Sequence, residues 1–145
     1  MRILLALLLT ATTATQAAAW QAGSDGLLCT LTHEEDGAQV LLTYDPSGPV
    51  YSLTVTTPEP WFDHPTFGIA FLGGQALTIT TDRHSLSGDD RSLTVTDSGF
   101  GNVLDGLAQN RTAIMVAGPS MVQVSLDGAA PEVEIFRTCG SLPAV

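Results

Sequence analysis

A strand pattern, a glycine and a helix pattern follow one another twice in residues 91–139, and this repeated order limits the folds open to the chain. The strand parts are residues 92–99 and 121–128, and the helix parts are residues 100–109 and 129–138. Alternation with a period of two is typical of a half-buried strand, and apolar residues three to four apart are typical of a helix. The apolar residues so spaced are Phe100, Val103, Leu104, Leu107, Val133, Ile135 and Phe136. We therefore expect two short helices in the C-terminal half.

The rest of the chain consists of short strand patterns separated by Gly, Pro, Asp and Ser. We expect the strand beginning at residue 77 to continue to residue 86 and to turn at residues 87–90. The other strand patterns are residues 27–32, 38–44, 50–56, 67–72, 91–97, 112–117 and 121–126. Strands first and helices clustered late predict an α+β fold. We expect seven to eight mainly antiparallel strands forming a curled sheet, a sandwich or a partial barrel.

Gly73 and Gly74 separate two apolar strands, and the position of the turn decides which side chains share a face. A two-residue loop pairs Phe71 with Ala76 and puts Leu77 on the opposite face. A three-residue loop, residues 73–75, pairs Phe71 with Leu77 and Ile69 with Ile79, so all four apolar side chains share one face. We predict the three-residue loop, with a glycine at positive φ.

Residues 1–19 have the layout of a secretory signal peptide. Arg2 gives a positive start, residues 3–9 are apolar, and three alanines at 17–19 form a small-residue cleavage site. The apolar run is shorter than the roughly 20 residues that a spanning helix needs. We expect cleavage after Ala19, a mature periplasmic or secreted chain that forms one domain over residues 20–145, and no membrane span.

The charge of the chain is strongly acidic. Without Arg2, four arginines and no lysine stand against fifteen carboxylates, a net charge of −11 with histidine neutral. Such a chain repels phosphate backbones, so nucleic-acid binding is not expected. A glycine-rich phosphate loop with its lysine is also lacking, which argues against nucleotide hydrolysis.

Cys29 and Cys139 are the two cysteines of the chain. In an oxidising compartment an isolated pair most simply forms one disulfide. Closing so long a loop stabilises the fold by about 4–5 kcal/mol on the chain-entropy model. The alternative is two free thiols, one of them a nucleophile.

Two of the three histidines lie in polar segments. His33 begins the run His-Glu-Glu-Asp between two strands, where we expect a solvated turn with at most a loose calcium affinity. His84 stands close to Asp82 and Ser85, but a nucleophile triad brings its members together from separate segments. We expect a polar, solvent-facing ribbon there and no metal site or cofactor.

The proline-punctuated loop that holds Trp61, Phe62, Asp63 and His64 is the first candidate contact surface. Aromatic residues on a stiff loop often anchor partners, although Trp61 and Phe62 could instead cap one end of the core. The second candidate is the hairpin tip at 84–90. The candidate partner-binding residues are Trp61, Phe62, Asp63, His64, His84, Asp89 and Asp90.

Threonines recur in pairs two residues apart on the expected outer sheet face. Such an array could bind a saccharide or another ordered surface, but β-branched polar residues are also what a half-exposed strand favours. The pairs are Thr54 and Thr56, Thr78 and Thr80, and Thr94 and Thr96.

Three short segments resemble phrases found in two families of exported bacterial proteins. Residues 125–129, Ser-Leu-Asp-Gly-Ala, and residues 98–100, Ser-Gly-Phe, resemble the phrase before the C-terminal helix in small secreted proteins of the invasion-associated locus B type. The resemblance covers about the last third of the chain and implies an envelope-associated, non-enzymatic role. Residues 47–51, Ser-Gly-Pro-Val-Tyr, are similar to a phrase of periplasmic lysozyme inhibitors, which implies a basic enzyme as partner.

We therefore expect an exported, non-enzymatic binding or envelope-accessory module whose partner is a protein or an envelope component. One alternative is an inhibitor of a basic periplasmic enzyme such as lysozyme. Another is a hydrolase whose site the fold assembles from Asp63, His64 and His84. That hydrolase needs the three side chains within hydrogen-bonding reach, and a separation beyond about 7 Å would exclude it.

Overall fold

The computed structural model describes Ala11 and residues 19–139, so the expected signal peptide lies almost wholly outside the described residues. The described part contains ten strands and two helices. They are β1 (Gln21–Asp25), β2 (Leu28–Glu35), β3 (Ala38–Asp45), β4 (Val50–Thr56), β5 (Phe67–Leu72), β6 (Leu77–Thr81), β7 (Ser85–Ser87), β8 (Ser92–Asp97), α1 (Gly101–Gln109), β9 (Thr112–Ala117), β10 (Ser120–Ser125) and α2 (Ala129–Thr138).

The strands form two antiparallel sheets that are not closed into a barrel. One sheet has the order β1-β2-β3-β4-β8-β7 and the other the order β10-β9-β5-β6. The α+β class, the antiparallel pairing and the two late helices are confirmed, and of the three expected arrangements the chain adopts the sandwich. Neither helix in the described part is long and apolar enough to cross a membrane.

Two expectations about the strands were wrong. The run from 77 to 86 is split into β6 and β7, which belong to different sheets. Residues 82–84 carry the chain across, and a run of polar side chains gives no sign of such a crossing. The strand β1 was missed because four of its five residues are exposed, and it shows no apolar face.

The core lies between the sheets, where alternate residues of each strand point inward. Phe67 and Phe71 of β5 are its largest fully buried side chains. The other buried members from the strands include Cys29, Leu31, Val40, Leu42, Leu53, Val55, Ile69, Leu93, Ala113, Met115, Ala117 and Val124. The two-residue alternation of the sequence is thus the alternation between core and outer face.

The β5–β6 register agrees with the prediction. Phe71 pairs with Leu77, Ile69 pairs with Ile79, and Gly73 has φ +99°. The turn is also tied to the end of α1, because the side-chain oxygen of Asn110 accepts the Gly74 N–H at 3.1 Å.

The helices pack against each other, and α2 also contacts β1 and β2. Arg137 of α2 forms an ion pair with Asp105 of α1 at 2.5 Å. Of the apolar residues predicted for the helical parts, five are buried: Phe100, Leu104, Leu107, Val133 and Phe136. Ile135 is 57% exposed, since it lies between Val133 and Phe136 on a different side of the helix.

Cys29 in β2 and Cys139 directly after α2 form the predicted disulfide, with their Cα atoms 6.0 Å apart. No free cysteine exists in the described part of the chain, so the nucleophilic-thiol alternative is wrong. The bond attaches the end of α2 to the larger sheet.

Candidate binding site at one end of the sandwich

The two loops chosen from the sequence meet at one end of the sandwich. The Trp61 N–H donates to the main-chain oxygen of Asp90 at 2.8 Å, and the Thr57 N–H donates to that of Arg91 at 2.9 Å. The Phe62 N–H donates to the Ser120 hydroxyl at 2.8 Å. We call this region the loop end: it comprises loop 57–66 and the turns at 36–37, 88–91 and 118–119. The fold therefore brings the predicted segments together.

Trp61 is a core residue rather than an exposed anchor. It is 3% exposed, and its ring packs edge-on against Phe67 with centroids 6.0 Å apart. Its indole N–H donates to the Val55 carbonyl at 3.1 Å. Phe62, by contrast, is 52% exposed. Of the two aromatics, only Phe62 is available to a partner.

His64 of the loop end and the neighbouring His84 both contact main-chain carbonyl groups. Nε2 of His84 lies 2.9 Å from the carbonyl oxygen of His64, and Nδ1 of His64 lies 3.0 Å from that of Thr66. Within the described residues, no hydrogen bond joins Asp63 to either histidine. The contacts of both rings therefore position the loop.

Asp89 and Asp90 occupy a tight turn with exposed side chains. Both have positive φ, 57° and 61°, a conformation that aspartate adopts more readily than most residues. Neither carboxylate takes part in an ion pair in the part of the chain that the structure describes. They add two exposed negative charges to the loop end.

A groove of about 390 Å³ runs beside this surface, between loop 57–61, the β2–β3 turn and strand β10. Its carboxylates are Glu35, Asp36 and Glu59, and no arginine is among its described lining residues. Its walls come from three distant segments, so no local sequence pattern indicates this groove. We call it the acidic groove.

Strand β10 is the outer strand of the smaller sheet, and part of its edge is unpaired. It forms a hairpin with β9 through a two-residue Gly-Pro turn, so alternate residues of β10 direct their N–H and C=O groups away from β9. Ser125 is one of them: its N–H donates to Glu35 Oε1 at 3.1 Å, and its carbonyl accepts the Trp20 indole N–H at 2.8 Å. By the same register, Met121 and Gln123 present unpaired main-chain groups to the acidic groove.

His33 is buried, so the expected solvated turn at this position was wrong. The turn is Asp36-Gly37, and β2 continues through His33 to Glu35. The imidazole is 7% exposed and stacks on Trp20 with centroids 4.5 Å apart, while its Nε2 lies 3.1 Å from Glu35 Oε1. Its place could have been found from the sequence, because it continues the inward series of Cys29 and Leu31.

The threonines of the larger sheet lie opposite one another. Thr54 pairs with Thr94 in the register, and their hydroxyls are 3.0 Å apart. Thr56 and Ser92 form a second such pair at 2.9 Å. These hydroxyls bond to each other, which supports the interpretation of the array as cross-strand pairing rather than as a binding surface.

In the described residues, no group of three or more His, Cys, Asp or Glu side chains is arranged to hold a metal ion. Comparison with protein-family models, curated proteins and solved structures finds no match to this chain. The resemblances drawn from short phrases therefore stay predictions. One of those phrases ends at Tyr51, whose ring stacks on Tyr44 and Phe100 with centroids 4.4 and 5.4 Å away.

Proposed function

We propose that this chain is an exported, non-enzymatic binding module that captures an extended, positively charged segment of a partner protein in the acidic groove. The observation that carries the proposal is the position of two exposed carboxylates, Asp36 and Glu59, beside the unpaired edge of β10. The third carboxylate of the groove, Glu35, already accepts the Ser125 N–H. The carboxylates select basic side chains, and the unpaired edge of β10 binds the main chain of the segment.

The edge of β10 can receive a further strand. Two N–H and two C=O groups, those of Met121 and Gln123, are free for main-chain hydrogen bonds, each contributing about 0.5–1.5 kcal/mol net. At the far end of β10, Glu35 and Trp20 already occupy the main chain of Ser125. The added strand therefore covers the half of β10 next to the β9–β10 turn.

Charge determines which segment is held. An incoming strand directs alternate side chains toward the carboxylates, so basic residues at every second position are favoured. The net charge of −11 on residues 20–145 also draws basic partners over a distance, and salt weakens this attraction.

Two independent features support the proposed location. A disulfide is typical of proteins in oxidising compartments, and the residues before Trp20 have the pattern of an export signal. We place the chain in the periplasm or outside the cell, where its partner is an envelope or extracellular protein.

The proposal is tested with a short peptide that alternates lysine and valine, titrated into oxidised residues 20–145 by calorimetry. We expect saturable binding that weakens as salt rises. The same peptide with a central proline should bind at least several-fold more weakly, because it cannot continue the main-chain bonds. A glutamate–valine peptide should not bind.

Two double variants of equal charge change locate the site. Asp36→Asn with Glu59→Gln should weaken binding strongly, whereas Asp63→Asn with Asp89→Asn, outside the groove, should weaken it only slightly. Equal losses from both pairs would mean that only net charge matters, and the groove would not be the site.

Inhibition of a basic enzyme such as lysozyme is the second candidate, and the exposed Phe62 favours it. Phe62 stands at the loop end beside Asp63, where an aromatic side chain could enter the cleft of a folded partner. Lysozyme activity measured with the wild type and with Phe62→Ala distinguishes the two functions. Loss of inhibition in Phe62→Ala supports the inhibitor, and full lysozyme activity in the presence of excess wild type excludes it.

A further inference from the structure

We propose that the opposite side of the sandwich binds a single-chain amphiphile with an anionic head, such as a free fatty acid. The site is a cleft of about 400 Å³ between β6, β8 and the start of α1. The strand β10 forms one edge of the smaller sheet and β6 the other, so this cleft is separate from the acidic groove. The inference does not depend on the proposed function.

The walls of the cleft are core faces that the fold leaves partly uncovered. Ile79 of β6, Val95 of β8 and Val103 of α1 face the core but are only half-buried. Below them lie the buried side chains of Leu53, Phe67 and Phe100. Clefts of about 300–1,000 Å³ with mainly apolar walls are typical of small-molecule sites. An alkyl chain in this cleft would remove the remaining apolar surface from water.

The charged groups of the cleft favour an anionic head. Nη2 of Arg83 binds Asp97 Oδ2 at 3.0 Å, and the Arg83 side chain is 70% exposed. A guanidinium has five N–H donors, so most of them are free for a carboxylate. Asp97 is already engaged, because it also accepts the Ser98 N–H at 2.7 Å. A cationic head would therefore find a carboxylate whose acceptors are largely used.

The start of α1 contributes to the same preference. Residues 101–103 line the cleft, and the first N–H groups of a helix have no acceptor within it. Phe100 supplies no side-chain cap, and the first turn contains no acidic residue. These donors lie on the same cleft as Arg83, and together they oppose the repulsion that the acidic chain exerts on an anion.

The test titrates octanoate, decanoate and dodecanoate, each below its micelle concentration, into oxidised residues 20–145 by calorimetry. Affinity should rise about fourfold for each added methylene, as expected for burial of an alkyl chain. Dodecyltrimethylammonium should bind at least about tenfold more weakly than dodecanoate. No dependence on chain length, or equal binding of the cation, would overturn the proposal.

Three variants locate the ligand. Ile79→Phe fills the cleft and should weaken dodecanoate binding at least about tenfold, whereas Ile114→Phe enlarges an outward residue of β9 and should have no effect. Arg83→Gln, on an exposed side chain, should reduce the preference for anion over cation and leave the chain-length dependence unchanged. Equal losses from both phenylalanine variants would contradict the site. Binding to anionic phospholipid vesicles without any binding of dodecanoate would also contradict it.

Discussion

Trp20 and His33 stack in parallel inside the sandwich, and this pair shows how a polar residue is accommodated in the core. Oε1 of Glu35 lies within hydrogen-bonding distance of Nε2 of His33. The other ring nitrogen, Nδ1, is buried without a hydrogen-bond partner among the described residues. The same Glu35 accepts the N–H of Ser125. A short polar cluster thus joins the two sheets near the acidic groove.

His33→Ala should lower the free energy of unfolding by about 2–4 kcal/mol, because it opens a cavity beside Trp20 and frees Glu35. His33→Phe keeps the stacked ring and removes the unpaired nitrogen, so it should lower that free energy by less. Urea denaturation of the three proteins checks this order. A smaller loss for alanine than for phenylalanine would contradict the packing role of the ring.

The substitution Gly106→Ala tests whether helix propensity or core packing has the larger effect on the free energy of unfolding. Alanine is favoured over glycine within a helix by about 1 kcal/mol. At residue 106, however, the added Cβ would overlap the ring of Phe71, which is fully buried. We expect packing to prevail, with a net loss of about 1–3 kcal/mol in urea denaturation.

Gly101→Ala is the matched control in the same helix. An added Cβ there meets open space, so the substitution should leave the free energy of unfolding unchanged or raise it slightly. A similar increase in the free energy of unfolding in both variants would show that the Phe71 ring can move aside at little cost.

The pKa values of Asp45 and Asp97 affect the stability of the protein in acid. Hydrogen bonds from Ser47 lower the pKa of Asp45, and those from Ser98, joined by the charge of Arg83, lower the pKa of Asp97. A lowered folded-state pKa adds stability that is present above the unfolded value of about 3.9 and is lost as pH falls through the folded value.

Removing both carboxylates should therefore flatten the acid side of the stability profile. The double variant Asp45→Asn/Asp97→Asn should lose less stability than the wild type between about pH 5 and pH 2. Thermal unfolding across this range checks the difference. Parallel profiles would show that the two carboxylates contribute nothing to acid unfolding.

At the scale of single elements, cross-strand pairing explains most of the outer face of the larger sheet. The hydroxyls of Thr54 and Thr94 lie on neighbouring strands and bond to each other. Such pairs typically contribute about 0.2–1 kcal/mol. The same range is expected for the coupling energy in a double-mutant cycle with Thr54→Val and Thr94→Val, measured by urea denaturation. A coupling energy of zero would show that the two hydroxyls do not stabilise each other, and the threonine array would again be a candidate surface for ligands.

Elements with a clear two-residue alternation could be predicted from the sequence, down to the register of β5 with β6. Local information was insufficient where tertiary packing decided the outcome. The crossing at residues 82–84 places β6 and β7 in different sheets, and only the arrangement of both sheets determines it. The strand β1 is held by pairing with β2, and its exposed side chains carry no alternation.

The candidate site divides in the same way. The loops holding Phe62 and Asp89 were identifiable from composition, because exposed aromatics and turn-forming aspartates are local features. The acidic groove was not, because Glu35, Glu59 and the edge of β10 come together only through the fold. Its acidic character, though not its shape, was implicit in the excess of fifteen carboxylates over four arginines in residues 20–145.

At the scale of the whole molecule, the disulfide joins positions 110 residues apart. Reducing it should lower the free energy of unfolding by about 4–5 kcal/mol on the chain-entropy model. Urea denaturation with and without reductant measures the loss. The double variant Cys29→Ala/Cys139→Ala, insensitive to reductant, is the control, and a reductant effect on that variant would show that the loss does not come from the disulfide.

That bond also changes how the molecule would carry mechanical load. A pull applied to the two ends of the described chain passes from residue 29 to residue 139 through the sulfur atoms, so residues 30–138, from β2 to α2, are bypassed. Among the described strands and helices, β1 alone lies wholly outside the closed loop and can be peeled from its neighbour. Reduction would release 110 residues, roughly 360–400 Å of extended chain. Under load, the oxidised protein would lengthen only by the short segment before residue 29, whereas the reduced protein could unfold and lengthen along the whole described chain.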